Sequence, residues 1–296
     1  MEVVITPDNR FHDLKDYPFE PNYLSCDGVQ MHTVDEGDND NEVVLMLHGE
    51  PTWSFLYRKM IPIVRDAGFR VVAPDFIGFG KSDKPVDKSV YTYQQHVDWM
   101  AAFLRKLDLK NITLFCQDWG GLIGLRLAAE HEHRFKRIVA ANTTLLTGDL
   151  KMPKAFLIWK NFSQKVKLFS ASRIVNRGTV NKIDESAKKG YDAPFPSEKY
   201  KAGARIFPTL VPTKPTDPAT VPNRAAWEIL KRWEKPFLTA FSDSDPITRG
   251  GESYLKKVIP GARDQDHVII KGAGHFLQED KGEELGKLVV DFISRN

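Results

Sequence analysis

Apolar residues come in short runs along the first half of the chain, with helical patterns between them. Residues 43–47 and 71–73 are continuous apolar runs of the kind that parallel sheets bury on both faces. Residues 112–116 and 138–142 continue the series, and 237–241 and 267–270 resume it near the end. Leu122, Leu125, Ala128 and Ala129 recur at helical spacing, which predicts a helix over 122–131. Residues 23–32 read as a hairpin turning on Asp27-Gly28. Strands alternating with helices predict a mostly parallel, doubly wound α/β sheet. The alternation stops between Leu146 and Val221, where helical segments follow one another without a buried strand and Pro194, Pro196, Pro208, Pro212, Pro215, Pro218 and Pro222 cluster. The chain is therefore expected to have a core of residues 1–146 and 222–296. A helical cap over 147–221 would be inserted after the sixth strand. Such an insertion lies over the carboxyl ends of the strands, where open α/β sheets bind ligands.

The segment Phe115-Cys116-Gln117-Asp118-Trp119-Gly120-Gly121 carries the chemistry. A strand, a sharp turn and a helix make the nucleophile elbow of an α/β-hydrolase, and here Asp118 occupies the tip. The turn leaves no room for large neighbours, so Gly120 and Cys116 suit their places. A carboxylate nucleophile forms an ester of the enzyme's own side chain, which fits attack on an sp³ carbon bearing a leaving group. The ester must then be hydrolysed, and that needs a base and donors for an oxyanion. His275, after the strand 267–270 and behind Gly272 and Gly274, is the expected general base. Asp245, after the strand 237–241, is the expected acid that orients the imidazole; Asp243 is its near rival, with the less suitable spacing. The order nucleophile, acid, histidine is that of α/β-hydrolases. In His48-Gly49-Glu50-Pro51-Thr52-Trp53, the Glu50 N–H pairs with that of Trp119 as an oxyanion hole, since Pro51 cannot donate. The Glu50 side chain is a candidate anchor for the hydrolytic water, and His48 is read as support for the loop.

Four motifs together resemble the haloalkane dehalogenases: His-Gly-Glu-Pro-Thr-Trp at 48–53, Gln-Asp-Trp-Gly-Gly at 117–121, Ser-Asp-Ser-Asp-Pro-Ile at 242–247 and Gly-Ala-Gly-His-Phe at 272–276. The resemblance covers nearly the whole chain, and the acid at Asp245 resembles the first subfamily. It implies hydrolysis of carbon–halogen bonds, with a small halogenated aliphatic substrate, a halide product and no metal or organic cofactor. It also implies two side-chain donors for the halide, Trp119 and a cap tryptophan matched by Trp159. Indole N–H donates without carrying charge, so it stabilises halide without neutralising the nucleophile. Trp53, Trp99, Trp227 and Trp233 are read as structural, the last two on a helix entering the final third. Phe156, Phe162, Phe169, Phe195 and Phe207 are candidate pocket walls or cap core.

Three alternatives stand beside this reading. An epoxide hydrolase would share Asp118, Asp245 and His275, yet it needs an acid for the alkoxide, usually a pair of cap tyrosines. Residues 147–190 contain none, and Tyr191 and Tyr200 are late and close together. A haloacetate dehalogenase carries arginine where Trp119 stands. A non-catalytic ligand-binding member of the fold remains possible on fold alone, but the intact Asp118, Asp245 and His275 weigh against it.

Composition narrows the partners. The 296 residues suffice for one large α/β domain with an insertion. A net charge of +3 with no basic run gives no reason to expect nucleic acid. Residues 1–23 lack an apolar signal region, and no run is long enough to span a bilayer. Cys26 and Cys116 are the only cysteines, which fits a reducing compartment; a cytoplasmic monomer is expected.

Overall fold

The apolar runs assemble into one sheet of eight strands in the computed structural model, which describes residues 1–296. The strands are β1 (Asn22–Cys26), β2 (Val29–Glu36), β3 (Val43–Leu47), β4 (Arg70–Pro74), β5 (Ile112–Gln117), β6 (Phe135–Ala141), β7 (Phe237–Ser242) and β8 (Val268–Ile270). Their order across the sheet is β8-β7-β6-β5-β3-β4-β2-β1. β1 and β2 form the antiparallel hairpin, and β2 pairs antiparallel with β4. All other pairings are parallel. Asp27 and Gly28 both take positive φ, 49° and 86°, as the tight hairpin turn requires.

Every residue of β3, β4 and β5 is buried, because helices cover both faces of the sheet. α1 (Ile61–Asp66) packs on α10 (Leu277–Arg295), while α2 (Tyr93–Lys106), α3 (Trp119–Glu130) and α8 (Thr220–Leu230) pack together. α9 (Gly251–Val258) lies against β7. No helix is long and apolar enough to cross a membrane.

Between β6 and β7 the chain forms α4 (Lys154–Lys165), α5 (Ala171–Gly178), α6 (Glu185–Asp192) and α7 (Ala202–Leu210) before α8 returns it to the sheet. Local signals start two of these helices. Ser170 caps α5 by accepting from the Arg173 N–H, and Asp184 caps α6 by accepting from the Ala187 N–H. α8 is tied to the end of β6: Asn223 Nδ2 and Trp227 Nε1 donate to the carbonyls of Leu146 and Leu145. Trp227 thus lies on a helix as expected, whereas Trp233 falls beyond the end of α8, fully buried. The insertion leaves apolar side chains in solvent, with Ile158 69% and Leu168 62% exposed.

Candidate active site

β5 delivers Asp118 to the carboxyl edge of the sheet and α3 begins at the next residue. Asp118 sits at φ 51°, ψ −122°, a strained conformation for a residue with a side chain. The strain is held in place by the absence of side chains around it. A Cβ on Gly120 would stand 1.8 Å from the Leu47 carbonyl oxygen, and one on Gly49 would stand 2.5 Å from the Asp118 side chain. Buried Cys116 fits the remaining neighbour position. Thr143 Oγ1 donates to the Asp118 carbonyl at 2.8 Å, fixing the elbow from β6's end.

Three sequence-predicted residues from separate loops converge here. His275 Nε2 lies 3.5 Å from Asp118 Oδ2, and its Nδ1 lies 2.9 Å from Asp245 Oδ2. Asp245 is buried and accepts from the Ile247 N–H at 2.8 Å and from the Thr248 hydroxyl. Burial opposes its charge, but His275 and these donors outweigh burial and bring its pKa down to about 2. Burial likewise opposes a charged His275, but the Asp245 and Asp118 carboxylates push its pKa up to about 10. Asp243 stands apart from the imidazole. Its carboxylate accepts the Gly272 N–H at 3.1 Å and so braces the turn before His275.

The loop after β3 approaches Asp118 from the opposite side. The Glu50 N–H donates to Asp118 Oδ1 at 2.8 Å. The Glu50 side chain is buried, and its Oε1 has no protein partner. Burial and the Asp118 charge raise its pKa well above the ordinary carboxylate value. His48 takes no part at the reacting atoms. Its Nε2 accepts the Phe76 N–H at 3.0 Å and its Nδ1 lies 2.9 Å from the Gly49 carbonyl, which is the loop support the sequence suggested.

Asp118, Glu50, His275, Trp119 and Trp159 line a single cavity of about 590 Å³ between the core and the insertion. Phe156, Phe162, Ile174 and Val211 contribute to its apolar wall. Of the aromatic residues suggested as walls, Phe156 and Phe162 are in place. Phe207 instead stacks on Trp119 at 4.3 Å between ring centroids, while Phe169 and Phe195 are buried in packing. Trp53 and Trp227 give their indole N–H groups to the carbonyls of Gly190 and Leu145. The indoles of Trp119 and Trp159 face the cavity without such an acceptor. No tyrosine lines it, and the Tyr191 hydroxyl donates to Glu279 at 2.5 Å.

The chain matches the α/β hydrolase fold family model over residues 42–282. It is 54% identical to a haloalkane dehalogenase of Psychrobacter cryohalolentis, covering 100% of this chain and 99% of that protein. The chain belongs to the haloalkane dehalogenase family. Another member, from Mycolicibacterium paratuberculosis, is 50% identical over 99% of this chain and 98% of its own. The solved haloalkane dehalogenase DpaA of Paraglaciecola agarilytica superposes with a TM-score of 0.92 at 38% identity, covering 97% of each chain. DpaA is tetrameric, so the expected monomer draws no support from it.

Set in this family's fold, the site contains residues that the sequence reading passed over. Asn142, at φ 39° just past β6, donates from Nδ2 to the Gly274 and His275 carbonyls at 3.0 and 3.1 Å. Gln117 Nε2 donates to the same His275 carbonyl at 3.1 Å and lies 3.2 Å from the imidazole Nε2. Thr248 holds Asp245. A polar residue closing β5 and another directly after β6, at the carboxyl edge of the sheet, were the available signal.

Proposed function

We propose that the protein hydrolyses carbon–halogen bonds of haloalkanes through an ester on Asp118, with Asp245 and His275 completing a catalytic triad. The observation that carries this reading is a strained carboxylate nucleophile and a free indole pair sharing one largely apolar cavity with a histidine–aspartate pair.

In the first step Asp118 attacks the carbon bearing chlorine, bromine or iodine. The carbon–oxygen bond forms as the carbon–halogen bond breaks, and the halide leaves toward the Trp119 and Trp159 N–H groups. The dry wall strengthens these contacts relative to water. Esterification also removes the Asp118 charge. One of the two carboxylates favouring imidazolium is then gone, and His275 shifts toward the neutral form that the next step needs. Neutral His275 takes a proton from water, which attacks the carboxyl carbon of the ester. The developing oxyanion meets the N–H groups of Glu50 and Trp119. Glu50 offers its unpaired Oε1 to the attacking water. Collapse returns the Asp118 carboxylate and releases the alcohol; the net products are alcohol, halide and a proton.

Residues 147–221 serve as the cap that closes the cavity. An epoxide hydrolase would need a tyrosine acid in that cavity, and the cap tyrosines do not line it. The proposed location is the cytoplasm, in keeping with the two free, buried cysteines. Halide release from a panel of bromo- and chloroalkanes, with Asp118→Ala as control, tests the function. Release by the parent alone is expected. No release from any panel member would overturn the reading.

A further inference from the structure

His275 sits on a loop, residues 271–276, whose backbone is held by groups from both the core and the cap. Asp243 takes the Gly272 N–H, and Asn142 takes the Gly274 and His275 carbonyls. The remaining contacts come from elsewhere. The Gly178 carbonyl, at the end of α5 in the cap, accepts the Phe276 N–H at 3.2 Å. A Cβ on Gly274 would stand 2.3 Å from that same Gly178 oxygen, so the two backbones are in direct contact.

Asp280 joins the two segments. Its Oδ2 accepts the Gly274 N–H at 3.0 Å and the Val180 N–H at 2.9 Å. Its Oδ1 accepts the Asn181 N–H at 2.9 Å and Asn181 Nδ2 at 3.1 Å. An acidic residue in the first turn of α10 ordinarily complements the helix dipole and caps nearby N–H groups. Here both oxygens are instead occupied by donors outside the helix, one on the histidine loop and three on the cap.

We propose that Asp280 is a positioning residue that locks the His275 loop to cap residues 178–181, so that the base is correctly placed only when this part of the cap is docked. The inference rests on the reading of His275 as the base. It separates the two chemical steps. Attack by Asp118 does not use His275 and is indifferent to the lock. Ester hydrolysis depends on the imidazole geometry and therefore on Asp280.

The test is a pre-steady-state measurement of halide release from 1-bromobutane by the full-length Asp280→Asn protein. Asparagine keeps the shape but replaces one acceptor oxygen with a donor that faces backbone N–H groups. The halide burst should keep its rate within about twofold, while subsequent turnover falls about 10- to 100-fold, the scale of a misplaced catalytic group. The ester should accumulate on Asp118, read by the mass of its peptide. Equal slowing of both phases, or of neither, would overturn the proposal. Asn181→Ala reaches the same junction from the cap side and outside the cavity lining, since it removes the Nδ2 donor to Asp280 Oδ1. It should show the same split, and it decides the matter if Asp280→Asn does not fold. His275→Ala separates the two readings. If that variant accumulates ester and Asp280→Asn does not, the lock fails and the base assignment stands. If His275→Ala turns over steadily, the base assignment itself fails.

Discussion

Trp119 and Trp159 face the same cavity from opposite regions of the molecule, and their surroundings differ. Trp119 is the first residue of α3, 2% exposed, stacked on Phe207 and packed against Tyr93 at 5.2 Å. Trp159 lies on α4 in the insertion, partly exposed, with Phe162 and Phe169 at 5.9 and 6.4 Å. The core fixes its functional groups by backbone: an elbow with no room to relax, and a loop pinned at successive N–H and carbonyl groups. The cap supplies side chains from helices that leave Ile158 and Leu168 in water. Core groups are therefore held to one geometry, whereas the insertion's cavity-facing side chains shape a pocket and tolerate replacement.

Breaking the core should cost most. Asp118→Ala should lower steady-state halide release by at least about 10⁴-fold, the scale seen when a nucleophile is removed. Residual release above about a thousandth of the parent rate would place the nucleophile elsewhere. The tryptophan pair sharpens the contrast. A hydrogen bond to a charged group contributes about 1.5–3 kcal/mol, so each indole is worth roughly 10- to 100-fold. Trp119→Phe should fall at the upper end and Trp159→Phe at the lower, in kcat/KM for a bromoalkane and in halide affinity. Equal losses would mean that the cap donor is as firmly held as the core donor.

Stability should divide the same way. Leu114, fully buried in β5, should cost about 2–5 kcal/mol on truncation to alanine. Leu157, 46% exposed on α4, should change urea stability by no more than about 0.5 kcal/mol. A large loss at Leu157 would show that this face of the cap is covered in solution.

The last contrast is electrostatic. The folded-state pKa of His275 is raised to about 10, above the ordinary histidine value of about 6.5. Its contribution to stability is thus fully present below about pH 6.5 and is lost as pH rises through about 10. Asp118→Asn removes one of the two attracting charges, so the contribution should be smaller and its loss complete at lower pH in that variant. Thermal melts of both proteins from pH 6 to 10 should diverge if this coupling operates, and parallel curves would remove Asp118 from it.

The same division governs what was legible in the sequence. Buried strands announce themselves as apolar runs, and the elbow as a polar residue between a strand and a glycine pair. The five strands read at 43–47, 71–73, 112–116, 237–241 and 267–270 fall within a residue or so of β3, β4, β5, β7 and β8. Asp118 follows β5 directly, Asp245 and His275 lie on the loops after β7 and β8, and the structure brings the three together. The supporting shell was hidden because Asn142 and Gln117 act on backbone atoms of a loop far away in sequence, and Asp280, though close to that loop, ties it to the distant residues Val180 and Asn181. Nothing local distinguishes such a residue from an ordinary turn or helix-start side chain. The insertion between β6 and β7 was legible as helices but not as a surface: Phe162 and Phe207 look alike in sequence, yet one lines the cavity and the other supports Trp119.

The most direct test of the account is a single-turnover experiment on His275→Ala with 1-bromobutane, reading bromide release and the mass of the peptide that contains Asp118. One bromide per protein molecule is expected, then no further turnover, with a butyl ester on Asp118. Continuous release, or an alkyl group on any other residue, would contradict it.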